Sequence, residues 1–176
     1  MKHSTNLGNA GDNPFPPSDA DRHEIWEILM RHDFEGFVAG DWKMLEPDFA
    51  EESFLGIDAR KSADPDEWRI AYPTVESYRD EWLRQVEAFC TIQLRTLSTH
   101  DFLYRSAHLD VIEIAGNRAL AHKKFDGCAE TVTGETVTFR WQSLFQMIRI
   151  HGTWKIAGFI GYLPNPLESG STPSHI

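Results

Sequence analysis

A chain of 176 residues, 41% of them hydrophobic, fits one domain whose core needs neither disulfides nor a structural metal. Its net charge of −10, with no concentrated cluster of Lys and Arg, argues against nucleic acid or an anionic membrane as partner. No apolar run approaches the roughly 20 residues that span a bilayer, and the polar start lacks an apolar signal core, so the expected compartment is the cytoplasm.

Residues 1–17, rich in Gly, Asn and Pro, read as a flexible arm. Ser18-Asp19-Ala20-Asp21 then resembles a capping box, with acidic groups at the positive end of a helix dipole. Ile25, Ile28, Leu29 and His32 share one face of that helix, Trp26 and Phe37 widen it, and Gly40-Asp41 closes it. A second, shorter helical stretch holds Met44, Leu45 and Phe49. Phe54 to Ile57 reads as a short strand running into a charged loop, Asp58 to Arg69. Thr74 is a good N-cap for the clearest helix, with Val75, Tyr78, Trp82, Val86 and Phe89 on one face.

From Thr91 the apolar period changes to two. Ile92 and Leu94 alternate with polar residues, and His100, Phe102 and Tyr104 form another alternating row. Strands follow at 109–114, 118–125, 137–150 and 154–163, punctuated by Gly116-Asn117, Thr133-Gly134-Glu135 and His151-Gly152. A Pro-, Ser- and Gly-containing tail, 164–176, ends the pattern. Helices followed by a run of antiparallel strands predict an α+β domain over 18–163, with the helices covering one face of a bent sheet.

On the strand 139–150 the odd positions Phe139, Trp141, Ser143, Phe145 and Met147 form an apolar face directed inward, interrupted by one hydroxyl. The even positions mix Arg140, Gln142 and Gln146 with Leu144 and Ile148, a face suited to a partner sheet. Trp26, Phe37, Phe54, Trp82, Trp141, Phe145 and Tyr162 are candidates to line an apolar pocket. Cys90 and Cys128 fit neither a metal nor a redox spacing, and no His-x-His or His-Glu-x-x-His occurs, so no metal or other cofactor is expected.

Four separated stretches carry a resemblance to a known superfamily. They are Phe34-Glu35-Gly36-Phe37-Val38-Ala39-Gly40-Asp41-Trp42, Phe49-Ala50-Glu51-Glu52, Ile112-Glu113-Ile114-Ala115-Gly116-Asn117-Arg118-Ala119 and Ile150-His151-Gly152-Thr153-Trp154-Lys155-Ile156. In their order and spacing the chain resembles the SnoaL-like, nuclear-transport-factor-two-like superfamily over about residues 19–163. The resemblance implies a cone-shaped sheet wrapped over helices around a pocket. Its members include ketosteroid isomerase, scytalone dehydratase and polyketide cyclases, beside binding and accessory domains, and they often dimerise.

Carried over position by position, the resemblance leaves fragments of those sites. Asp33 stands where ketosteroid isomerase has its Tyr, Ile57 or Asp58 where it has its base, and Ser143 or Phe145 near its second oxyanion donor. For scytalone dehydratase, Phe37 and Val38 replace a Tyr and an Asp, Ala59 replaces a Tyr, His100 matches a His and Ser143 replaces an Asn. The resulting candidates for acid–base chemistry are Asp58 or Asp33 as the proton acceptor, His100 as the assisting shuttle and Ser143 as the oxygen anchor. The expected activity is that of an isomerase, cyclase or dehydratase on an apolar or aromatic small molecule, in a homodimer built through the sheet. The alternatives are a non-catalytic ligand-binding domain and an accessory domain of a larger assembly.

Overall fold

The computed structural model describes residues 11–166. Three consecutive helical stretches, α1 (Ala20–Trp26), a π-helical segment (Glu27–His32) and α2 (Asp33–Ala39), run into one another and end on Gly40. Gly40 adopts φ 66°, and the amides of Gly40 and Asp41 return to the carbonyls of Phe37 and Gly36, closing the last turn. The expected capping box at Ser18 does not form, because the carboxylates are engaged elsewhere. Asp19 pairs with Arg22 at 3.2 Å, and Asp21 accepts Trp154 Nε1 at 3.1 Å and faces Arg149. His32, placed by α-helical spacing on the apolar face, instead bonds Asp48 at 2.7 Å with 43% of its side chain exposed.

The expected helix around Met44 and Phe49 is a pair of 3₁₀ turns, Trp42–Met44 and Glu46–Asp48, broken by Pro47. Strand β1 (Leu55–Asp58) then pairs with β2 (Arg69–Tyr72), which closes the loop that the charged composition had hidden. Helix α3 (Val75–Cys90) starts on a full capping box between Thr74 and Ser77 and buries Val75, Trp82 and Phe89. Beyond it the alternating pattern fails: Leu94 makes one isolated bridge with Thr131, and α4 (Thr99–Ser106) occupies the stretch read as an alternating row. Ser98 caps this helix by accepting the Asp101 amide, and Phe102, Leu103 and Tyr104 are all buried, which alternation forbids.

Strands β3 (Ala107–Ala115), β4 (Arg118–Glu130), β5 (Thr136–Ile150) and β6 (Thr153–Leu163) follow as an antiparallel meander. The sheet has the order β2-β1-β6-β5-β4-β3, and it is curved and unclosed. All its neighbours are antiparallel except β1 and β6. Two register shifts between β5 and β6 bend the sheet. The first helix lies against the inner face, tied down where Arg22 Nε donates to the Ile112 carbonyl and Glu24 accepts the Trp154 amide. The fold is therefore an α+β cone.

The arm expected over residues 1–17 and the tail expected over 164–176 lie partly outside the described residues. What is described of them is fastened. Asn13 Nδ2 donates to the His23 carbonyl and to Glu27, and His23 bonds the Phe15 carbonyl at 2.8 Å. At the other end Gln142 Nε2 donates to the Pro164 carbonyl and Asn165 Nδ2 to that of Phe125.

Candidate active site

Period-two alternation turns Ala119, Ala121, Lys123 and Phe125 of β4 to the inside of the sheet. The register sets Lys123 opposite Ser143 and Phe125 opposite Trp141 on β5. Between these rows, α2, α3 and the end of β6 lies a cavity of about 110 Å³. Phe34, Phe37, Tyr78, Trp82, Phe139, Trp141, Phe145, Phe159 and Tyr162 supply its aromatic walls, and Asp33, Gln85, Lys123 and Ser143 its polar groups. An engineered cavity of about 150 Å³ holds benzene, so this smaller space suits at most one small ring or a short chain. The walls pack ring on ring: Phe125 stacks on Trp141 with centroids 4.5 Å apart, and Phe37 meets Trp82 edge-on at 5.7 Å.

The chemistry is concentrated in one ion pair. Lys123 is 1% exposed, and its Nζ donates to Asp33 Oδ2 at 2.7 Å and to the Leu29 carbonyl at 2.6 Å. A helix carbonyl normally receives the amide four residues on. Here, where the π-helical segment passes into α2, the Asp33 amide bonds the Met30 carbonyl instead, and the Leu29 carbonyl accepts the lysine. Trp82 Nε1 donates to the other carboxylate oxygen, Oδ1, at 3.0 Å. The ammonium lies 4.2 Å from the centre of the Phe34 ring and 5.3 Å from that of Phe125, a favourable place for a cation. Burial pulls Lys123 below the ordinary lysine range, and the neighbouring Asp33 resists that shift.

Around this pair the hydroxyls are held neutral. Burial pushes Tyr78 well above the usual tyrosine value and also raises Tyr162. The Tyr162 oxygen accepts Gln85 Nε2 at 2.6 Å. Tyr162 has φ 56°, unusual for a bulky residue; its carbonyl accepts the Lys61 amide, and its ring reaches the cavity.

Of the four candidates from the sequence, Asp33 and Ser143 line this cavity and Asp58 and His100 do not. Asp58 Oδ1 accepts the Arg60 amide at 2.7 Å, capping a turn in which Arg60 and Lys61 have positive φ. His100 sits on a helix rather than a strand and bonds Glu35 Oε1 at 3.1 Å, an oxygen shared with Tyr104. Among the aromatic candidates, Phe37, Trp82, Trp141, Phe145 and Tyr162 line the cavity. Trp26 is core beneath Arg31, and Phe54 packs behind the wall against Phe49 and Phe159. Sequence reasoning missed Lys123, although it is the one charged position in the row Ala119, Ala121, Lys123, Phe125. Among the described residues, no group of three or more His, Cys, Asp or Glu is placed to hold a metal ion.

No family model matches the chain, and neither does any curated protein. Solved structures do. An NTF2-like (nuclear-transport-factor-two-like) protein of unknown function from Pseudomonas putida KT2440 superposes with a TM-score of 0.54 at 15% identity, over 82% of this chain and 87% of that one. An NTF2-like protein of unknown function from Shewanella baltica OS155 gives a TM-score of 0.50 at 17% identity, over 81% of this chain and 93% of that one. At such identities the likeness is one of architecture: the chain has the NTF2-like fold.

Proposed function

We propose that the chain is a small-molecule enzyme of isomerase, cyclase or dehydratase type, acting on a compact apolar or aromatic compound in this cavity. The carrying observation is the Lys123–Asp33 pair opening onto aromatic walls. Removal of a proton beside a carbonyl needs a base and a positive group for the oxygen that becomes charged. Asp33 supplies the base, Lys123 the charge, and the Ser143 hydroxyl, opposite Lys123 in the register, a second donor. Asp58 and His100 take no part in this reading. The cavity size favours one-ring ketones as first substrates.

One observation favours a second reading, a binding domain without catalysis. Both Asp33 oxygens already have partners, as does Lys123. Exchange of the α-protons of 2-cyclohexenone in heavy water, followed by NMR, separates the two. Catalysis predicts exchange that Asp33→Asn slows by about 10²-fold or more. Thermal stabilisation by the ketone without enzyme-dependent exchange leaves binding alone.

The outer face of β3, β4 and β5 supports a homodimer: Val111 and Leu120 are 40% and 36% exposed there, beside Leu144 and Ile148. Light scattering of Leu120→Asp against the parent chain checks this, and an unchanged mass removes that face from consideration. No helix among the described residues is long and apolar enough to cross a membrane. Two exposed, unpaired cysteines, Cys90 and Cys128, support a reducing compartment such as the cytoplasm.

A further inference from the structure

We propose that Lys123 is a nucleophile that condenses with the carbonyl carbon of a small aldehyde or ketone, forming an iminium ion with Asp33 as its fixed counter-ion. This rests on the reading of the cavity as a small-molecule site and adds a covalent step and a substrate class to it.

The geometry meets the requirements of imine chemistry one by one. Lys123 belongs to the cavity wall beside Asp33, so a carbonyl compound bound there lies next to it without displacing a strand. A proton acceptor stands 2.7 Å away in Asp33 Oδ2. The faces of Phe34 and Phe125 suit the cationic product as well as the cationic reactant. Burial favours the neutral, nucleophilic form. Ser143, register partner of Lys123 on the same face, has its Cβ about 5 Å away and offers a hydroxyl to the carbonyl oxygen.

The steps balance with no other reagent. The Lys123 ammonium gives a proton to Asp33, and the freed lone pair attacks the carbonyl carbon while the C=O π pair moves to oxygen. That oxygen takes the proton back from Asp33. Asp33 next removes a second proton from nitrogen, giving a neutral carbinolamine. It returns that proton to the hydroxyl, which leaves as water while the nitrogen lone pair forms the C=N bond. The ammonium and the carbonyl compound become an iminium and one water molecule, so the buried pair has the same charges before and after. The low-dielectric site never holds an unpaired ion.

Benzaldehyde fits the one-ring limit, and sodium cyanoborohydride traps its imine. The full chain is incubated with both at neutral pH and analysed by intact mass and peptide mapping, with tryptophan fluorescence reporting occupancy through Trp82 and Trp141. The expected result is one benzyl group, on Lys123, gained about tenfold or more faster than on exposed Lys43 or Lys61. Lys123→Arg keeps a cation beside Asp33 and loses this label, with circular dichroism confirming the fold. Fluorescence quenching with label spread evenly over exposed lysines overturns the imine and leaves the cavity as a binding site. Absence of both quenching and selective label overturns both readings.

Discussion

A lysine with 1% of its surface exposed is tolerated only where its charge is answered on the spot. Lys123→Met removes the cation and leaves Asp33 with Trp82 as its partner. Breaking a buried pair costs about 3–5 kcal/mol, and because a quarter of the Asp33 side chain is exposed the expected loss lies near the lower bound. Urea unfolding of the single variant and of Lys123→Met with Asp33→Asn checks this; the double variant is expected to be the more stable of the two. That the pair exists was not legible in the sequence, for a physical reason. On β4 the row Leu120, His122, Lys124 looks as fit for the interior as Ala119, Ala121, Lys123, Phe125, since leucine is more apolar than alanine. Pairing with β5 decides it: Ala121 meets Phe145 and Lys123 meets Ser143. The inward placement of Ser143 was legible because its row is otherwise apolar, and no competing face matched it.

Elements with a local signature are where the sequence is most readable. Thr74 announces α3, and both residues of the His151-Gly152 turn have the positive φ that joins β5 to β6. Three elements lacked one. The row His100, Phe102, Tyr104 in α4 mimics a strand, β2 is mostly exposed, and the π-helical turn in the first helix has no compositional mark. That turn accounts for the misplacement of His32. Residues spaced by four drift about 40° per step around an α-helix. A wider turn takes more residues per revolution and opposes the drift, so Leu29, Asp33 and Phe37 keep to the side facing the sheet. Close approach also fixes β1. A Cβ on Gly158 would come within 2.4 Å of the Leu55 carbonyl oxygen, its register partner across the parallel pair. Gly158→Ala is expected to cost about 1–3 kcal/mol and to strip amide-exchange protection from Gly56 to Asp58 while sparing the β3–β4 hairpin.

Over the whole molecule, all four tyrosines are affected by burial. Tyr72, Tyr78, Tyr104 and Tyr162 are each raised above the ordinary value of 10.0, desolvation being the largest cause in every case. The unfolded chain therefore releases phenolic protons near pH 10 while the folded chain keeps them. Above that pH the folded state binds more protons, and stability falls as pH rises. An ultraviolet titration is expected to show tyrosinate appearing in one cooperative step above pH 10, together with the loss of circular dichroism. Separate, gradual ionisation of a still-folded protein would refute it. The parallel pairing of β1 with β6 carries a different consequence, one of timing. Leu55 meets Gly158 from the far end of the described chain, so a ribosome releases Phe54, Leu55 and the β1 edge long before their partner is made. The β3–β5 meander closes from near neighbours, whereas the wall that Phe159 and Tyr162 give the cavity is made after every other wall. During synthesis the cavity is completed at the end, and a chain stalled before β6 presents an open, sticky sheet edge instead of a finished wall.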